Sequence, residues 1–68
     1  MANFLKLSEV ERVTTLRRSK IYELIKQGEF PAQIKVTASR SAWLQSEIED
    51  WITSRVIKTR GNLGGLNV

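Results

Sequence analysis

Neither cysteine nor histidine occurs among the 68 residues. Their absence excludes a disulfide framework, a Cys/His zinc site and any mechanism built on a Cys or His nucleophile or base. No apolar run approaches the ~20 residues that a membrane span needs. The opening Met1-Ala2-Asn3-Phe4-Leu5-Lys6 lacks the charged region, apolar stretch and cleavage site of a secretory signal. From these absences we expect a soluble, cytoplasmic, non-enzymatic protein with no metal, cofactor, small-molecule ligand or membrane partner. Proline occurs once, at Pro31, and three of the four glycines lie at 61, 64 and 65. What remains is 41% hydrophobic with two Trp and two Phe. That is enough for one small core, although a chain of this size buries only about 60% of its unfolded surface.

The formal net charge is +4 and the pI about 10.0. A basic balance favours a polyanionic partner without proving one. Its distribution says more. Residues 17–40 hold Arg17, Arg18, Lys20, Lys26, Lys35 and Arg40 against Glu23 and Glu29, a balance of +4 that equals the whole chain's. The acids gather elsewhere, at Glu9 and Glu11 and at Glu47, Glu49 and Asp50.

Phe4-Leu5-Lys6-Leu7 reads as a short apolar lead-in. Ser8, with Glu11 three residues on, matches a capping box. It predicts a first helix over 9–13 with Val10 and Val13 inward. Thr14 and Thr15 can hydrogen-bond locally and end it; Leu16 then plugs the turn. A second helix is predicted over 18–27, with Ile21, Leu24 and Ile25 as its apolar stripe. Gly28 suits a left-handed C-cap. Phe30 covers the core and Pro31 prevents further helix. Gln33-Ile34-Lys35-Val36 alternates like a half-buried strand. Residues 37–41 read as a polar turn, and Ala42-Trp43-Leu44 as the returning strand. Such a hairpin is marginal alone, so Trp43 should anchor it to the helices. Ser46 reads as the cap of a third helix carrying Ile48, Trp51, Ile52 and Val56 and ending near Lys58. The fold class is therefore mostly α with a small β-hairpin: a winged helix-turn-helix over 1–58, followed by a flexible tail over 59–68.

The start of the second helix carries the sharpest clue. Helix N-termini prefer acids, each by roughly 0.3–1 kcal/mol. The first and third helices obey this, whereas the second opens with Arg17, Arg18 and Lys20. Phosphates arriving there would offset the local cost; three surface cations falling together by chance is the plain alternative. The side opposite the apolar stripe carries Ser19, Glu23 and Lys26, with Tyr22 on its flank. Arg18 or Arg17 can grip a guanine edge bidentately, while Ser19 and Lys20 suit the backbone. Tyr22 either contacts phosphate or packs on the hairpin. Glu23 suits an ion pair with a neighbouring lysine. At the hairpin tip Ser39 and Arg40 can touch DNA, unless Arg40 is merely a solvated loop cation. Trp43, Trp51 and Phe30 have core spacing rather than that of base-stacking platforms. The acids of the third helix are spaced as a helix start and exposed face, with no nucleophile or metal ligand beside them.

With these residues in place, the chain resembles the AlpA family of prophage regulators, relatives of the MerR-like excisionases. The resemblance spans residues 5–52. It rests on Leu5-Lys6-Leu7-Ser8-Glu9-Val10, on Arg18-Ser19-Lys20-Ile21-Tyr22 followed by Gly28-Glu29-Phe30-Pro31, and on Trp43-Leu44-Gln45-Ser46-Glu47-Ile48. It implies a bacterial winged helix-turn-helix that binds DNA, either activating an integrase gene or directing excision by bending attachment-site DNA. The family pattern places Arg18, Ser19, Tyr22 and Arg40 on DNA. Two stretches depart from it. Thr15-Leu16-Arg17 stands where Gly-Leu-Ser is common, and Thr37-Ala38-Ser39-Arg40-Ser41 lacks the wing's usual glycine and valine.

The expected partner is double-stranded DNA in the bacterial nucleoid. One module of this size contacts roughly 600–1,000 Å², which favours cooperative binding at adjacent sites or dimerisation on DNA. The rival expectation is a protein-interaction module of the same fold, an anti-repressor or inhibitor of another regulator.

Overall fold

The computed structural model describes residues 3–60. Six elements follow one another: β1 (Phe4–Leu5), α1 (Leu7–Thr14), α2 (Arg18–Lys26), β2 (Ile34–Thr37), β3 (Arg40–Leu44) and α3 (Gln45–Thr59). The three strands form an antiparallel sheet in the order β1-β3-β2. This is a winged helix-turn-helix with a third, short strand. The helices lean on β3, whose Trp43 is 1% exposed and donates its indole N–H to the Pro31 carbonyl at 3.0 Å. Val10, Ile21, Phe30 and Ile48 complete the core, ringed by Leu5, Leu7, Leu16, Leu24, Ile25, Trp51 and Ile52.

The lead-in segment is a strand, because Phe4 and Leu5 pair with Leu44 and Trp43. That pairing moves the start of α1. Lys6, extended at φ −75°, ψ 163°, occupies the cap position, and Ser8 lies inside the first turn. The Lys6 N–H donates to the Glu9 carboxylate at 2.8 Å, whereas a lysine side chain has no acceptor to return the bond. Leu7, Val10 and Thr14 therefore form the inward stripe, and Val13 is left at its margin, 38% exposed. The C-terminal end follows the sequence. Thr14 Oγ1 donates to the Val10 carbonyl at 2.7 Å and accepts the Leu16 N–H at 3.3 Å.

Thr15 takes φ 63°, ψ 14°. A β-branched residue in this left-handed region is strained by roughly 1–2 kcal/mol. Gly28, at φ +75°, closes α2 in a Schellman arrangement: its N–H bonds the Ile25 carbonyl at 3.0 Å and the Glu29 N–H bonds the Leu24 carbonyl at 2.8 Å. A Cβ at Gly28 would meet nothing within 4 Å, so only backbone conformation resists one. Opposite effects follow from the same rule. Thr15→Gly should raise stability by about 1 kcal/mol and Gly28→Ala lower it by about 1 kcal/mol. For a domain of this size either shift is about 4–8 °C in thermal melting; equal signs for the two would contradict the account.

The hairpin is tighter than the sequence predicts. Thr37 pairs with Arg40, so only Ala38 and Ser39 form the turn and β3 begins at Arg40 rather than Ala42. Neither turn residue takes positive φ. The register slips between Lys35 and Thr37, and this bulge supplies twist that such a turn does not. β2 is exposed throughout, not half-buried, with Ile34 at 37% and Val36 at 44%. It lies at the sheet edge, whereas α1 and α3 pack on β3. Ser46 is not the cap of α3 either. β3 runs directly into the helix through Leu44, and the Gln45 N–H donates to the Asn3 carbonyl at 2.8 Å. α3 continues through Thr59, one residue into the expected tail; residues 61–68 of that tail lie outside the described residues. Among the described residues no helix is long and apolar enough to cross a membrane.

Candidate nucleic-acid interface

The three residues Thr15-Leu16-Arg17 join α1 to α2, the spacing of a helix-turn-helix. Ile21 fixes the roll of α2 by pointing into the core with 0% exposure. The opposite side is consequently presented outward. Arg17, Arg18, Ser19, Lys20, Tyr22 and Lys26 are all exposed, as are Ser39 and Arg40 on the wing.

These eight residues are not all brought together. Arg18, Tyr22 and Lys26 recur every four residues and stack in one strip about 12 Å long, with Ser19 beside them. Lys20 falls on the other flank. It pairs with Glu23 at 3.6 Å and lines a depression with Val13, Leu16, Leu24 and Val56. Both partners of that pair are more than half exposed, so it contributes at most about 1 kcal/mol. Arg17, Arg18, Lys26 and Arg40 form no ion pair among the described residues. Tyr22 packs on the hairpin, one of the two roles the sequence left open. Its ring tilts at 50° against Trp43, 6.3 Å between centroids, yet it remains 43% exposed. It thereby joins the α2 strip to β3, and Arg40 opens that strand three residues before Trp43, roughly 10 Å away along it.

The electrostatics of α2's start differ from the expectation in one respect. No acid lies in its first turn, and Arg17 at the cap position offers no side-chain bond. Yet Glu11 of α1 supplies an anion from seven residues upstream: its Oε2 accepts the Arg18 N–H at 2.8 Å. The cationic end is not wholly uncompensated. Sequence reasoning missed this because the contact spans the turn and carries no local signature. It also missed Lys6, which shares a depression with Phe4, Val36, Ser39, Arg40, Ser41 and Ala42. Only the β1–β3 pairing brings Lys6 there. Lys35, opposite Ser41 on the wing, was visible in the charge balance alone.

A second polar cluster fastens the loop after α2 to α3. The Trp51 indole N–H donates to the Glu29 carbonyl at 2.8 Å, and Phe30 meets the Trp51 ring edge-on at 4.8 Å. Arg55 lies 5.0 Å over the same ring and 3.6 Å from the Glu29 carboxylate. The three aromatics are thus spent on packing, as their spacing predicts. Among the described residues no group of three or more carboxylates converges to hold a metal.

Helix, three-residue turn, helix, hairpin and helix define a small winged helix-turn-helix protein. The family model described as "Prophage CP4-57 regulatory protein (AlpA)" matches residues 3–56, and the chain belongs to this family of prophage regulatory proteins. A relative from Enterobacteria phage P4, "Uncharacterized protein ORF88", is 45% identical over 53 residues, covering 78% of this chain and 60% of that protein. The chain therefore matches less than two thirds of that relative's length.

Proposed function

We propose that the chain is a non-enzymatic, sequence-selective double-stranded DNA-binding protein of the bacterial nucleoid, regulating prophage genes or directing excision. The observation that carries this reading is the exposed strip on α2: Arg18, Ser19, Tyr22 and Lys26, with Arg17 at its head, whose three side-chain cations form no ion pair among the described residues. α2 enters the major groove and Arg18 reads a base edge. Ser39 and Arg40 of the wing hold the adjoining backbone, and Lys20 gives a peripheral phosphate contact. Copies bind adjacent sites, compensating for the small contact area of one module.

The reading is tested by sequencing the fragments the protein retains from its host's genome. A shared motif beside an integrase gene or an attachment site is the expected result. Random recovery, with no motif, would overturn sequence selection.

One observation favours a second reading. Phe4, Ile34 and Val36 are 52%, 37% and 44% exposed on the sheet, an apolar surface suited to another protein. On this reading the winged fold acts as an anti-repressor or inhibitor of a regulator. Gel shifts on the same fragments separate the two, since an inhibitor leaves naked DNA unshifted.

A further inference from the structure

The first turn of α2 presents the N–H groups of Arg18, Ser19 and Lys20 at its open end. Such an end ordinarily recruits phosphate. Here the first of those groups is taken by the Glu11 carboxylate at 2.8 Å, and the other two find no protein acceptor among the described residues. Glu11 itself forms no ion pair among the described residues. Its charge therefore stands at the end of α2 where helix amides ordinarily draw an anion.

The geometry points to Glu11 as a positioning residue for the DNA binding proposed above, on which this inference rests. Its carboxylate stands where a phosphate would sit and keeps the DNA backbone off the α2 amides. α2 consequently meets DNA through the side chains of its strip rather than end-on. Two consequences follow. Affinity for arbitrary duplex is held down by about one phosphate contact. The angle of α2 is set by α1, because the Glu11–Arg18 bond ties the two helices across the turn.

Glu11→Gln isolates the charge. Glutamine keeps a carbonyl oxygen for the Arg18 N–H, and its amide hydrogens can donate to phosphate. Fluorescence anisotropy on random-sequence duplex, over a series of salt concentrations, should show Glu11→Gln binding roughly five- to tenfold tighter than wild type at about 0.1 M salt. Its log–log salt slope should be steeper by about 0.9, the signature of one further phosphate. A role confined to folding would move the melting temperature and leave that slope alone. Glu11→Ala serves as the second variant: it loses the acceptor, should melt lower, and should still bind with the steeper slope. Equal or weaker affinity with an unchanged slope in Glu11→Gln overturns the inference while leaving wild-type DNA binding intact. A wild type whose binding ignores salt overturns the proposed function and this inference together.

Discussion

Trp43→Ala should leave most of the chain unfolded at 25 °C. The indole is the largest fully buried side chain. It is contacted by the Tyr22 ring and bonded to the Pro31 carbonyl. Truncating a buried Trp costs about 3–5 kcal/mol through lost transfer energy and the cavity left behind. It also leaves the Pro31 carbonyl without its donor, a further 1–3 kcal/mol where water cannot reach. A domain of this length has a total stability of roughly 3–10 kcal/mol, so the loss is comparable to the whole. The same residue holds three parts together: β1 pairs with it through Leu5, the loop before β2 through Pro31, and α2 through Tyr22. Far-UV circular dichroism during urea titration checks this; a variant that melts like wild type would show that the hairpin has another anchor. Trp43→Phe should fall between the two, keeping an aromatic ring but losing the bond.

Arg18→Ala should erase most sequence preference. Arg18 heads the exposed strip and forms no ion pair among the described residues, so its guanidinium is free for a base edge. A bidentate arginine–guanine contact is worth about 1–3 kcal/mol of discrimination, roughly five- to 150-fold. Its loss should fall on the selected duplex far more than on random DNA. Arg18→Lys keeps the charge and discards the planar fork. It should therefore retain most affinity for random duplex while losing the preference. Footprints unchanged in Arg18→Ala would remove Arg18 from the reading surface and shift that role to Arg17. The aliphatic stem of Arg18 buries little, so its removal should leave the fold intact.

What the sequence made legible was what it encodes locally. α2 carries a full apolar stripe, a glycine able to take positive φ and a proline just beyond, and it lies within one residue of its predicted bounds. Trp43 and Phe30 were legible as core because a small chain without disulfides has few other large apolar groups to bury. The caps were not legible. Ser8 and Ser46 match the capping pattern, but both starts are fixed by distant partners: β1 against β3, and Gln45 against Asn3. Pairings across forty residues leave no mark on a four-residue motif. The reach of the hairpin was not legible for a similar reason: its strands extend to Thr37 and Arg40. Thr37, Arg40 and Ser41 are polar and read as loop, yet all three lie in the hairpin's backbone pairing, which needs no apolar side chain. Thr15 is instructive in the other direction. The family's frequent glycine is absent there, yet the backbone still takes the left-handed turn that a glycine would allow, at a cost the core absorbs. For the site, the cationic opening of α2 was visible and its eight candidates are exposed. Its internal counter-charge from Glu11 was not, because that contact exists only once the two helices have packed.

Affinity for duplex DNA as a function of salt is the measurement closest to the central claim, that an exposed cationic strip on α2 engages phosphates and bases together. Anisotropy of a labelled duplex, titrated with wild-type protein from about 50 to 200 mM salt, should show affinity falling by one to several orders of magnitude along a straight log–log line, with a slope near 0.9 per phosphate engaged. An affinity that stays flat across that range would contradict it.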